Sequence, residues 1–126
     1  MTINNQIKTT RNMYVLAVPD LQASANYYEE KLGFSIHEIG DDGWRMYKLD
    51  TCCIMAGHCP DALPVKDLGD HSYFAYIVLN DIDAYYEKLR AAQVELIKEI
   101  ATEPWQMREF GIRTLDGHRI MFGMDV

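Results

Sequence analysis

An α+β fold built from two tandem βαβββ units is the class this sequence predicts, and three observations carry the prediction. An apolar run, an aspartate cap, a helical pattern and a glycine stop follow one another between residues 13 and 33, and the order of apolar run, cap and helical pattern starts again after residue 71. Between the two lies the one stretch with linker character, about residues 58–71, which holds Pro60, Pro64 and Gly69. Near the end, Asp116-Gly117 separates a long polar strand from a short apolar one, a strong signal for a two-residue hairpin turn, because such a turn needs positive φ.

The elements follow in order. Met13 to Val18 is a continuous apolar run bounded by Pro19-Asp20 and reads as a buried strand. Asp20 is a good N-cap, since its carboxylate can accept the free amide hydrogens of a first helical turn. Leu21, Ala25, Tyr28 and Leu32 then recur at helical spacing, and Gly33 ends the helix. Phe34 to Ile39 has strand character, Gly40-Asp41-Asp42-Gly43 is a turn, and Trp44 to Leu49 and Thr51 to Ala56 read as two further strands. After the linker, Ser72 to Leu79 is a strand, and Asn80-Asp81 caps a helix with an apolar face of Ile82, Tyr85, Leu89 and Ala92. Val94 to Ile100, Met107 to Leu115 and Arg119 to Met124 complete the second unit. Tyr27-Tyr28-Glu29-Glu30-Lys31-Leu32 is echoed by Tyr85-Tyr86-Glu87-Lys88-Leu89, and internal duplication is the simplest account. One domain over residues 1–126 is expected, with module 1 at about 12–57 and module 2 at about 72–125.

Composition bounds the function. Nineteen acidic against twelve basic residues give a net charge of −7, a field that repels nucleic acid and anionic membrane and attracts a cationic ligand. No apolar run approaches the roughly 20 residues of a membrane span, and the polar start of the chain lacks a signal-peptide core, so a cytoplasmic protein is expected. Cys52, Cys53 and Cys59 are odd in number and lack a Cys-x-x-Cys spacing, which implies neither a disulfide framework nor a zinc knuckle. Cys52 and Cys53 face opposite sides of one strand, and no basic neighbour that would form a thiolate can be named for either. His37, His58, His71 and His118 show no ligand spacing and are expected to be solvated, His118 included.

Two motifs carry a resemblance. Trp105, Arg108-Glu109-Phe110, Ile112-Arg113, Asp116-Gly117-His118 and an apolar strand ending in Phe122 resemble the C-terminal signature of the glyoxalase/bleomycin-resistance (vicinal oxygen chelate) superfamily, above all its drug-binding branch. Val18-Pro19-Asp20-Leu21, Ser24, Tyr27 or Tyr28, and Leu32-Gly33-Phe34 resemble its first-half strand-to-helix signature. The resemblance covers about residues 13–124 and implies strands curled into a half-barrel around a cavity, with small members pairing as homodimers. Thr114-Leu115 departs from the Asp-Pro of many relatives, which implies a last turn of different shape.

Enzymes of the superfamily are similar in holding a divalent metal through His, Gln or Glu on the inner faces of four strands, where open metal positions stabilise an enolate or bound dioxygen. Carried over residue by residue, those positions fall on Met13, on a strand Thr51 to Ala56 without His, Glu, Gln or Asp, on Phe74 and on Met121. No metal or other cofactor is therefore expected. Alternation instead puts Met13, Val15, Phe74, Tyr76 and Met121 on an apolar, aromatic inner wall.

Ligand contact is expected from Met13, Trp44, Phe74, Tyr76, Trp105 and Met121, since flat aromatic faces attract planar rings and cations. Arg108 and Glu109 point opposite ways on one strand and read as architecture. Asp41, Asp42, Asp61, Asp67 and Asp70 would steer a cation if their loops rim the cavity. The functional expectation is a metal-independent, dimeric binding protein of the bleomycin-resistance type that sequesters an antibiotic-like small molecule, with no catalytic residues. The alternative is a metal-dependent lyase, isomerase or dioxygenase with non-standard ligands, and a third reading is an interaction module whose groove only closes the dimer.

Overall fold

The computed structural model describes residues 10–68 and 73–126. Among the described residues there are eight strands: β1 (Met13–Val18), β2 (Ser35–Glu38), β3 (Trp44–Leu49), β4 (Cys52–His58), β5 (Tyr73–Val78), β6 (Glu95–Glu103), β7 (Met107–Arg113) and β8 (Arg119–Asp125). They form two four-stranded sheets of the same order, β1-β4-β3-β2 and β5-β8-β7-β6. In each, the first strand runs parallel to the last and the other neighbours are antiparallel. The echo between the helices is thus a repeat of topology, and the two sheets are two βαβββ modules.

The helices start where the aspartates put them. Asp20 accepts a hydrogen bond from the amide of Ala23 at 3.0 Å ahead of α1 (Leu21–Tyr27), and Asp81 accepts one from Ala84 at 3.2 Å ahead of α2 (Ile82–Ala91). α1 continues as a π-helical stretch, Tyr28–Leu32, and stops at Gly33, whose φ of +81° is left-handed. Leu21, Ala25, Tyr28 and Leu32 are all buried, as their spacing requires. On α2 the buried stripe is Ile82, Tyr86 and Leu89, with Tyr85 half-buried beside it.

One side of each sheet packs on this helical layer and the other is left open. Leu16, Val18, Tyr47, Ile54 and Ala56 of the first sheet share a core with Ala75, Ile77, Phe110, Ile112, Ile120 and Phe122 of the second. Tyr28 stacks near Tyr47 at 4.5 Å between ring centroids, and Phe110 stacks on Phe122 at 5.4 Å. Two hydrogen bonds tie the helix ends of the modules together: Tyr85 donates to the carbonyl of Leu32 at 2.8 Å, and Lys31 donates to that of Ala92 at 2.8 Å. Both carbonyls lie at helix C-terminal ends, where no intrahelical donor remains.

Three expectations need correction. The last hairpin is not a two-residue turn: Thr114 pairs with His118 across Leu115, Asp116 and Gly117, and only Gly117 has positive φ, at +92°. A type I turn followed by a left-handed glycine is the three-residue solution to the same hand of strand twist. His118 is buried at 6% exposure, not solvated, because this hairpin folds back onto the body of the protein and brings the ring edge-on to Phe74. Phe74 itself is displaced from its expected position. A register shift between Tyr73 and Ala75 leaves it without a cross-strand partner, and its ring packs against Tyr14 and His118 beside the core.

The intermodule tie is testable. Tyr85→Phe leaves the Leu32 carbonyl without its donor and is expected to lower stability by about 1 kcal/mol, seen as a lower urea midpoint with an unchanged slope. An unchanged midpoint would mean that this bond does not couple the modules.

Candidate functional site

The open face of each sheet is the candidate site, and its composition follows from strand alternation. In module 1 the residues opposite the core positions are Met13, Val15 and Ala17 on β1, Cys53, Met55 and Gly57 on β4, and Trp44, Met46 and Lys48 on β3. Met13 lies opposite Cys53, and Met46 opposite Met55. Trp44 stands opposite Gly57 and covers it: a Cβ on Gly57 would lie 2.9 to 3.2 Å from three carbons of the indole. The ring can lie flat only because that position has no side chain. At the sheet edge, Ser35 and His37 are joined by a 3.0 Å hydrogen bond.

Module 2 repeats the device with a polar addition. Tyr76 lies across Gly123, where a Cβ would overlap the phenol, with ring carbons 2.6 and 2.8 Å away. Tyr73, brought to this side by the register shift that displaces Phe74, places its hydroxyl near Gly111, as does the sulfur of Met121. At the centre sits Glu109 of β7, with only 5% of its surface exposed. One of its oxygens, Oε1, accepts from the Tyr76 hydroxyl at 2.8 Å and from Trp105 Nε1 at 3.0 Å, while Oε2 accepts from Lys98 Nζ at 3.1 Å. Lys98 also lies 3.8 Å from Glu103.

Electrostatics follow from these contacts. Burial by itself would raise the pKa of Glu109, but hydrogen bonds from Trp105, Tyr76 and Lys98, with the Lys98 charge, outweigh it and hold the carboxyl below its ordinary value. Tyr76 moves the other way: burial, the hydrogen bond to Glu109 and the charges of Glu109 and Asp125 push its phenol up to about 12. The site therefore holds a carboxylate and a neutral phenol across the physiological range.

The geometry of the turn between β6 and β7 explains the position of Trp105. Glu103 pairs with Met107 across Pro104, Trp105 and Gln106, Gln106 donates its amide to the Glu103 carbonyl at 3.1 Å, and Gln106 has a φ of +67°. Proline at the second position of such a turn fixes the φ it needs. The turn throws the indole back along its own strand to Glu109, four residues on, while leaving Trp105 59% exposed.

Of the expected contact residues, Tyr76, Trp105 and Met121 meet on one face, with Tyr76 paired opposite Met121. Met13 and Trp44 lie on the open face of module 1, and Phe74 lies apart from both groups beside the core. Glu109 is the residue that the sequence reading placed in the architecture. Alternation held the signal for it: with Phe110 and Ile112 in the core, Glu109 and Gly111 must face the open side. Arg108 does face the other way, onto Asp83 of α2 at 2.8 Å.

The positions that the resemblance assigns to a metal do not fit one held in that manner. They carry Met13, Phe74 and Met121, and among the described residues no three His, Cys, Asp or Glu side chains converge on a point. Asp70, His71 and Ser72 lie outside the described residues. Cys52, a half-buried free thiol, has its pKa pushed up to about 11, chiefly by burial, and is no nucleophile at neutral pH. Clefts of about 620, 580, 660 and 350 Å³ lie along the seams of the modules; Tyr76 lines the second and Phe74 the fourth, while Met13, Trp44, Trp105 and Met121 line none of these four.

The carboxylate network predicts a pH signature. A group whose folded pKa is lowered stabilises the fold above its unfolded value of about 4.3, and that contribution disappears as the pH falls through the folded value. Glu109→Gln is therefore expected to cost about 1.5–3 kcal/mol at pH 7 in denaturant titrations, and the gap from wild type should close on acidification below about pH 4. A gap independent of pH would show that the charge of Glu109 is not what the network uses.

Comparison with known proteins agrees with this architecture. The chain resembles in fold TioX from Micromonospora sp. ML1, at 19% identity over 94% of this chain and 100% of that one, with a TM-score of 0.75. A glyoxalase-related enzyme from Clostridium phytofermentans matches at 19% identity over 95% and 98%, with a TM-score of 0.77. The bleomycin resistance determinant encoded on the transposon Tn5 matches at 18% identity over 93% and 98%, with a TM-score of 0.75. No curated protein matches in sequence. Among the described residues no helix is long and apolar enough to cross a membrane. The family model described as "Glyoxalase/Bleomycin resistance protein/Dioxygenase superfamily" matches residues 10–122, nine-tenths of the chain, and the chain belongs to that superfamily.

Proposed function

We propose that this protein binds and sequesters a hydrophobic or planar cationic small molecule of antibiotic-like character, without a metal, as a cytoplasmic homodimer. The observation that carries the reading is the make-up of the two open faces. Each seats an aromatic ring over a glycine, Trp44 on Gly57 and Tyr76 on Gly123, and sulfur-bearing or aromatic side chains stand where metal-dependent relatives would need hard ligands. Sequestration needs affinity and no chemistry, so such a wall suffices. The fold by itself does not choose, since its likenesses include both an enzyme relative and a resistance determinant.

Dimerisation is supported by what the single chain leaves in water. Met13, Val15, Trp44, Tyr73, Tyr76 and Val78 are exposed large hydrophobics. A second copy that set its module 2 face over the module 1 face of the first would cover them and enclose a cavity at each junction, gaining about 25 cal/mol per Å² of apolar surface removed from water. The net charge of −7 favours a cation as occupant.

The reading predicts a dimer by light scattering, no stoichiometric divalent metal by elemental mass spectrometry, and quenching of Trp44 and Trp105 fluorescence by a planar cation at micromolar concentration. Trp44→Ala should weaken that binding by about tenfold, the scale of a lost cation–π contact of roughly 0.5–2 kcal/mol together with its apolar area. Near-stoichiometric metal with turnover of a substrate would contradict the proposal and favour an enzyme with displaced ligands. A dimer that binds no planar molecule would leave only an interaction role for the groove.

A further inference from the structure

We propose that Glu109 sets the ligand class of the module 2 face: without touching the ligand, its carboxylate fixes the Trp105 and Tyr76 rings and makes them electron-rich, so that a planar cation is preferred over a neutral ring of the same shape. The inference rests on the sequestration reading above and deepens it.

Two aromatic donors end on one oxygen. The Tyr76 hydroxyl and the Trp105 N–H both reach Oε1 of Glu109, at 2.8 and 3.0 Å. A shared acceptor fixes the two rings relative to each other, and Gly123 under Tyr76 leaves the phenol room to lie down on the sheet. An aromatic group that donates its hydrogen to an anion also gains negative charge on its ring. Attraction of a cation to a ring face is electrostatic, through the negative face of the quadrupole, and so grows with that charge.

Both rings keep surface for a ligand, Trp105 at 59% and Tyr76 at 39% exposure. Glu109 does not: it is 5% exposed and each oxygen already has a donor. Burial thus hinders a direct ion pair between ligand and Glu109, whereas polarisation through the rings needs only that the network stay intact. Lys98 offsets part of the charge but is shared, standing 3.1 Å from Glu109 and 3.8 Å from Glu103, so two carboxylates surround one ammonium.

The test uses the full-length protein at pH 8 and two probes of one shape, cationic N-methylacridinium and neutral acridine, titrated calorimetrically into wild type, Glu109→Gln and Tyr76→Phe. The amide introduced by Glu109→Gln keeps the size of the side chain and an acceptor oxygen, and Tyr76→Phe keeps the ring while removing its donor. Far-UV circular dichroism and thermal midpoints establish that each variant is folded, and if Glu109→Gln is not, Tyr76→Phe carries the test. For Glu109→Gln the expected result is a loss of roughly tenfold in affinity for the cation, within the cation–π range, with acridine changed by less than about twofold. Tyr76→Phe should shift the same ratio by a smaller factor. Equal losses for both probes would make Glu109 scaffolding only and overturn the proposal while leaving sequestration standing. Unchanged cation affinity would overturn it likewise. Wild type that binds neither probe would overturn the sequestration reading and this inference with it.

Discussion

A carboxylate buried on a sheet face that is otherwise open is the constraint on which the shape of this protein's second module depends. Taking Glu109 out of water is unfavourable unless its oxygens are met by donors, and it is met by three from three different places: Trp105 from the turn after β6, Tyr76 from β5 and Lys98 from β6. Each donor in turn needs a backbone feature. Trp105 needs the three-residue turn with Gln106 at positive φ, Tyr76 needs Gly123, and Lys98 lies between two register shifts in β6 that re-aim its side chain. The turn after β6 and the two register shifts within β6 thus serve one ion.

The first module keeps the frame and drops the ion. Trp44 over Gly57 parallels Tyr76 over Gly123, each pair placing an aromatic ring on a glycine of β4 or β8, although the ring comes from β3 in the first module and from β5 in the second. No carboxylate stands on the strand positions around Trp44; its neighbours across the face are Met13, Cys53, Met55 and Met46. Thioethers are flexible and polarisable, so they adapt to the outline of a ligand. One face thus offers fixed, electron-rich rings and the other a soft apolar surface. Under the proposed function the two are complementary ways of holding a flat, charged molecule, one supplying orientation and the other area.

Much of the frame could be read from residue order because local signals and tertiary packing agree. Met13–Val18 and Trp44–Leu49 are bounded correctly by their apolar content and by the turns beside them, and Asp20 and Asp81 cap helices that their neighbours' spacing calls for. One departure arises because period-two reading assumes an unbroken strand. The bulge at the start of β5 moves Phe74 to the core side and turns Tyr73 toward Gly111, and nothing in the residue order around Tyr73 announces it. His118 is buried by where the hairpin lands, a long-range fact. Glu109 could be assigned a face from Phe110 and Ile112, but its partners lie 33, 11 and 4 residues away and only the folded register brings Tyr76 and Lys98 to it.

In the proposed function the ligand is held between the two open faces, not in the cleft bounded by Cys52, Tyr85 and Lys88. The measurement that tests this most directly is a crystal structure of the protein with N-methylacridinium. The expected result is a dimer with the acridinium ring against Trp105 and Tyr76 of one copy and Trp44 of its partner, and with the Glu109 hydrogen bonds intact. Acridinium seated instead in the cleft bounded by Cys52, Tyr85 and Lys88, or a dimer that packs the open faces together with no space between them, would contradict it.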